Sequence, residues 1–205
     1  MGSVYASDVV KMARSYIGTM EDPIGSNRTI FGYYMDQCGY FLPQKKNGIS
    51  WCGTFCDCMV MFAARPQDRS NNEKKYDAQY VLFQPSYNNY SCGVNEFASY
   101  FKDAGKFYLT DPQPGDIIFF RLNTGKEHCG IIETVDGDRI TTIEGNSGDA
   151  VRSKTYYRSD SSNGISGYGR PRYDKDSTDP DKEVNITIKV NAPDGVKVNI
   201  NVEKE

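Results

Sequence analysis

The chain reads as an α+β domain, and three observations predict it. Apolar residues recur at helical spacing in three segments of the first half. From about residue 105 the period falls to two, or to short apolar runs. The helices precede the strands instead of alternating with them, so N-terminal helices are expected to pack on an antiparallel sheet. With 205 residues, 38% of them hydrophobic and 25% charged, there is material for one packed core and a small appendage.

The first helix is expected from about Ser7 to Ile17, with Val9, Ala13, Tyr16 and Ile17 on one face, Ser7 and Asp8 at its start and Gly18 as its stop. Residues 19–50 are loop-rich and carry an aromatic cluster of Phe31, Tyr33, Tyr34, Tyr40 and Phe41, which either lines a groove or covers the core. A second helix runs from about Trp51 to Ala64. Cys52, Phe55, Cys56, Met59, Phe62 and Ala63 recur along it, which predicts that it is largely buried. Residues 66–92 are polar and show no clear period. A third helix spans about Val94 to Ala104, ended by Gly105. Strands follow near Asp116 to Phe120, His128 to Val135, Arg139 to Gly145, Val151 to Tyr157 and Gly167 to Pro171.

The main domain is therefore drawn as residues 1–173. Residues 174–183 hold no apolar side chain and read as a charged, solvated linker. In residues 184–205, Val184, Ile186, Ile188 and Val190 alternate, turn through Asn191 to Gly195, and alternate again at Val196, Val198, Ile200 and Val202. That is a β-hairpin with one apolar face, too small to stand alone in water. Two readings stay open for it: docking on its own domain, or homo-oligomerisation through hairpins of other copies.

Composition narrows the function classes. A net charge of −3 and the lack of a basic run argue against nucleic-acid binding. No stretch is long and apolar enough to span a bilayer. The first twenty residues lack the pattern of a signal peptide, so synthesis in a reducing compartment is expected, with the six cysteines as thiols. The run Cys52-x3-Cys56-x-Cys58 lacks the paired spacing of structural zinc sites, and neither metal nor cofactor is expected.

The chemistry concentrates on one residue, because the chain has a single histidine, His128. A cysteine nucleophile needs a base, and imidazole is the usual one. Among the six thiols, Cys52 follows Trp51 and opens a helix, where unpaired N–H groups and the positive dipole end favour an anion. A lowered thiol pKa is expected there, and the backbone N–H of Cys52 can donate to an oxyanion. Gln37 and Tyr40 are further polar groups upstream. His128 begins a strand, and Glu144 and Asn146 on the next strand can hold its second nitrogen.

The hairpin register tests that arrangement. A three-residue loop, Asp136-Gly137-Asp138, pairs Val135 with Arg139 and sets His128 on the face of Glu144 and Asn146. A two-residue Asp136-Gly137 turn, which the dipeptide favours, sets both acceptors on the opposite face unless a bulge intervenes.

Taken together, the Trp51-Cys52 helix opening, the strand Gly115-Asp116-Ile117-Ile118-Phe119-Phe120, the strand His128-Cys129-Gly130-Ile131-Ile132 and the strand end Ile143-Glu144-Gly145-Asn146 resemble the CHAP family of cysteine, histidine-dependent amidohydrolases/peptidases, related to the NlpC/P60 group. The resemblance covers roughly residues 5–173, including Gly167-Tyr168-Gly169-Arg170-Pro171, which is similar to the closing strand of phage-type members. It implies a papain-like fold and cleavage of peptidoglycan amide bonds. Cys52 then matches the nucleophile, His128 the general base, and Glu144 and Asn146 the positions that orient the histidine. Cys129, where a valine-like residue is common, and the small Gly53-Thr54 pair depart from the pattern. Residues 36–50 hold no acid besides Asp36, so the calcium of some members is not carried over.

The expectation is a peptidoglycan hydrolase of the phage or prophage endolysin type, an N-acetylmuramoyl-L-alanine amidase or endopeptidase, made in the host bacterial cytoplasm and acting on the wall after release from the cell. The alternative is a non-catalytic wall-binding or phage tail structural module of the same fold. Hydrolysis of a small amide conjugate is a third reading.

Overall fold

The two hydrophobic periods separate in space as they do along the chain. The computed structural model describes residues 1–41, 45–85 and 93–175. Five helices come first: α1 (Ala6–Ser15), α2 (Ile30–Gln37), α3 (Cys52–Ala63), α4 (Asn71–Val81) and α5 (Val94–Asp103). Six strands follow: β1 (Phe107–Tyr108), β2 (Ile117–Phe120), β3 (His128–Asp136), β4 (Arg139–Glu144), β5 (Arg152–Tyr157) and β6 (Ile165–Gly169). They form one antiparallel sheet in the order β1-β6-β2-β3-β4-β5. This is the expected α+β architecture, helices packed on an antiparallel sheet.

Helix α3 is buried almost throughout, and Cys52, Phe55, Cys56, Met59, Met61 and Ala63 join one core with the odd-numbered residues Ile117, Phe119, Cys129, Ile131 and Ile143 of the sheet. Even-numbered residues Ile118, Phe120, Ile132 and Ile140 form a smaller cluster with Tyr168 on the other face. Period-2 alternation accounts for both clusters.

Two helices fall in segments that periodicity leaves as loop. Helix α2 is only eight residues long and is started by Thr29, whose side chain accepts the Gly32 N–H at 3.1 Å. Gly32 is needed there, because a Cβ would lie 2.8 Å from the Asn47 backbone. Helix α4 is mostly polar and opens with a capping box between Ser70 and Glu73, a local start signal that works without an apolar stripe. Helix α1 ends at Ser15, two residues earlier than expected, and its N-cap residue, Tyr5, makes no side-chain capping bond.

The hairpin of β3 and β4 adopts a third register. Asp136 pairs with Arg139 across a two-residue Gly137-Asp138 turn, with Gly137 at φ +56°. Continued unchanged, that pairing would turn Glu144 away from the face of His128. A bulge between Ile132 and Thr134 adds Glu133 as one extra residue, so that Ile131 pairs with Ile143. The slip restores Glu144 to the His128 face.

Asp174, the first linker residue by composition, hydrogen-bonds to the N-terminal segment. Its N–H donates to the Val4 carbonyl at 2.8 Å and its Oδ2 accepts the Val4 N–H at 2.9 Å. The rest of the linker past Lys175 and the hairpin of residues 184–205 lie outside the described residues.

Candidate active site

Cys52 is the first residue of α3, so its backbone N–H has no acceptor within the helix. The preceding Trp51 is fully buried, stacks on Phe31 at 5.6 Å between ring centroids, and accepts the Phe55 N–H on its carbonyl at 2.8 Å. The end of β4 closes directly onto this turn. A Cβ on Gly145 would lie 2.4 Å from Phe55 Cβ and 2.9 Å from the Trp51 ring, so only glycine permits the approach.

His128 opens β3. Its Nε2 lies 3.0 Å from Glu144 Oε2, and the Cys52 thiol is the other group acting on the imidazole. Gly130 makes room for this arrangement, since a Cβ there would sit 2.6 Å from Glu144 Cγ. Phe120 flanks the imidazole at 6.0 Å.

Glu144 is almost fully buried and well supplied with donors. The Thr142 hydroxyl donates to Oε1 at 2.6 Å, and Tyr156 also hydrogen-bonds to the carboxylate. Burial opposes its ionisation, but the bonds from His128, Thr142 and Tyr156 outweigh burial and hold the carboxyl below its ordinary range. The imidazole responds in kind. Burial pulls it down, yet Cys52 and Glu144 push it up to about 9.

The thiol behaves otherwise than its helix position suggests. A hydrogen bond with Cys129 that favours the protonated thiol pushes Cys52 well above the usual thiol range, burial adds to this, and His128 pulls it back. Cys52 is 5% exposed, and Cys56 and Cys129 behind it are fully buried. Dipole and unpaired N–H groups act on this sulfur, but the buried Cys129 thiol and the loss of water act against them.

The four residues singled out from the sequence do not form one chain of bonds. Cys52, His128 and Glu144 come together. Asn146, in the left-handed region at φ 57°, sends its amide to Ser50 Oγ at 3.1 Å and Asn27 Oδ1 at 3.4 Å. Tyr40 gives its hydroxyl to Gln84 Oε1 at 2.8 Å, deep in the core. The sequence reading missed Thr142 and Tyr156. Thr142 has a visible signal, two residues before Glu144 on the same strand face. Tyr156 does not, because it reaches the site only through the β4–β5 register that pairs it with Ile140. No group of three or more histidine, cysteine or acidic side chains among the described residues is arranged to hold a metal ion.

A thiol at a helix start, an imidazole on a strand and a carboxylate on the neighbouring strand define a cysteine–histidine type of site on an α+β domain. The family model described as "CHAP domain" matches residues 29–146, more than half of the chain, and the chain belongs to the CHAP domain family. Two solved structures of Ly7917 are similar to it. The one described as holding "the hydrolyzing product of MDP" is 14% identical at a TM-score of 0.48, over 82% of this chain and 63% of that one. The other is 17% identical at a TM-score of 0.49, over 82% and 62%. The chain thus spans less than two thirds of the length of either. No curated protein matches it.

Proposed function

We propose that this chain hydrolyses amide bonds of bacterial peptidoglycan through a Cys52 thiolate and an acyl-enzyme. The observation that carries the reading is the placement of the single imidazole between a thiol and a buried, donor-rich carboxylate. Membership of the CHAP domain family supports it.

In this reading His128 takes the Cys52 proton, and the thiolate attacks the amide carbonyl carbon. The oxyanion is met by the Cys52 backbone N–H at the start of α3. As the tetrahedral centre collapses, the C–N bond breaks and the leaving amine takes the proton from His128. Water then gives a proton to the same imidazole and attacks the thioester, and the acid product leaves a regenerated thiol. Glu144 favours the imidazolium form and fixes its ring. The same residues serve an N-acetylmuramoyl-L-alanine amidase and a stem-peptide endopeptidase. The reading includes action on the wall after release from the cell, residues 1–173 as the catalytic unit, and the 184–205 hairpin for docking or assembly.

The test is turbidity of purified walls together with mass spectrometry of the released muropeptides. The parent should clear walls and expose new amines, whereas Cys52→Ala and His128→Ala should each fall by about a thousandfold or more. Variants that clear walls like the parent would sink the mechanism.

One observation favours the alternative, a wall-binding or phage tail structural module that no longer cleaves. Cys52 is 5% exposed, and its thiol proton is held by Cys129 and by burial. Wall retention without amine release, with Cys52 inert to iodoacetamide, would establish that reading.

A further inference from the structure

Thirty residues before the site, Glu21 is a buried carboxylate that the chemistry above does not use. It is 4% exposed, and both of its oxygens are engaged. Oε1 accepts the Trp51 indole N–H at 2.7 Å, and Oε2 accepts the Asn27 backbone N–H at 2.7 Å. Trp51 is the residue directly before Cys52, and its backbone starts α3. Asn27 in turn accepts from Asn146, two residues past Glu144, and Asn146 also donates to Ser50.

One carboxylate therefore joins the two halves of the site. On one side it holds the helix start that presents the thiol. On the other, through Asn27 and Asn146, it reaches the strand end that carries the partner of the imidazole. The loop bearing Glu21 is itself pinned to the sheet side: Glu21 N–H donates to the Asp149 carbonyl at 3.0 Å, and Gly18 and Thr19 exchange backbone bonds with Val151. A buried acceptor with two donors is costly to lose, since each donor would be left unpaired away from water.

We propose that Glu21 is a positioning residue for the Cys52–His128 pair, acting through Trp51 and Asn27 to set the distance between helix start and strand. The proposal rests on the cysteine–histidine reading of the site, but its test does not need wall cleavage. Trp51 is the only tryptophan of the chain, so its fluorescence reports directly on the bond to Glu21.

The experiment compares parent, Glu21→Gln and Glu21→Ala in the full chain by tryptophan emission, melting temperature and the rate of Cys52 alkylation by iodoacetamide, read by peptide mass spectrometry. Glutamine keeps one carbonyl oxygen and so one of the two bonds, and alanine keeps neither. The expected order of alkylation rate is parent, then Gln about threefold slower, then Ala about tenfold or more slower, with emission displaced most in Ala. If Ala does not fold, a slowed Gln variant with a parent-like melting temperature supports the proposal. Parent-like alkylation in Gln, and in Ala where it folds, overturns it. A parent that alkylates readily but clears no wall refutes the hydrolase reading and leaves this comparison intact.

Discussion

His128 and Cys52 face each other, yet what stands behind each differs in kind. Behind the imidazole is a carboxylate fixed by a threonine and a tyrosine, and Gly130 on the imidazole's own strand leaves room for it. Behind the thiol are two more thiols and a packed core. Three donors stabilise the carboxylate that makes the imidazole a stronger base, and that imidazole pulls the sulfur toward its anion against Cys129 and burial. The lesson is that ionisation of the thiol is delegated. The helix start contributes direction, and the charge must come from His128.

The sharpest way to break this contrast is to neutralise its strong side. In Glu144→Gln the carboxylate charge is gone, and wall clearance should fall by about a hundredfold. The acid limb of the pH profile, where activity rises as the base form of His128 appears and which is set in the parent by an imidazole at about 9, should move down toward the ordinary 6.5. Stability follows the same groups. Because His128 is raised in the folded state, its contribution is complete below about 6.5 and is lost as pH rises through about 9. Because Glu144 is lowered, its contribution is complete above about 4.5 and is lost as pH falls through its folded value. Calorimetric melts of the parent should decline from pH 6.5 to 9, and the decline should shrink in Glu144→Gln. A pH-independent melting temperature over that range would contradict the assignment.

The weak side is sharpened instead by Cys129→Ala. Removing the bond that favours the protonated thiol should lower the Cys52 pKa and speed its alkylation at pH 7 about fivefold. The truncation should cost about 1 kcal/mol of stability in a denaturant titration. Unchanged alkylation would show that Cys129 has no hold on the sulfur. The smallest effect is expected from Thr142→Val, which removes one of three donors to Glu144. Turnover should drop about threefold, with a loss of about 1–2 kcal/mol. A larger loss of activity than of stability would place Thr142 closer to the proton path than its position suggests.

How far the site could be read from the sequence follows from how each residue reaches it. Cys52 and His128 stood out because one opens a buried helix and the other is the single imidazole. Glu144 was legible as the acid on the next strand, although its face was not. Two turn geometries predicted opposite faces, and the chain uses neither, reaching the right one through a bulge at Glu133 that no local pattern announces. Glu21 was hidden because a loop has no period, and its bond to Trp51 spans thirty residues. Asn146 was read as a partner of the imidazole from its proximity in sequence, but a left-handed backbone turns its amide toward Ser50 and Asn27 instead. Of the fold, the long amphipathic helices and the alternating strands were plain. Helix α2 was obscured by its shortness, and α4 by a polar composition that its capping box offsets.

The bulge at Glu133 has a consequence for how this hairpin can vary. Its side chain is tied to α1 by the Arg14 guanidinium, whose Nε donates to Glu133 Oε1 at 2.6 Å, so the extra residue is anchored as well as inserted. Side chains on paired strands keep phase by parity, and this one residue sets the parity between His128 and Glu144. A lineage that lost or gained a single codon between them would point acid and imidazole to opposite sides of the sheet. Tolerated length changes here should come in pairs, or with a compensating slip.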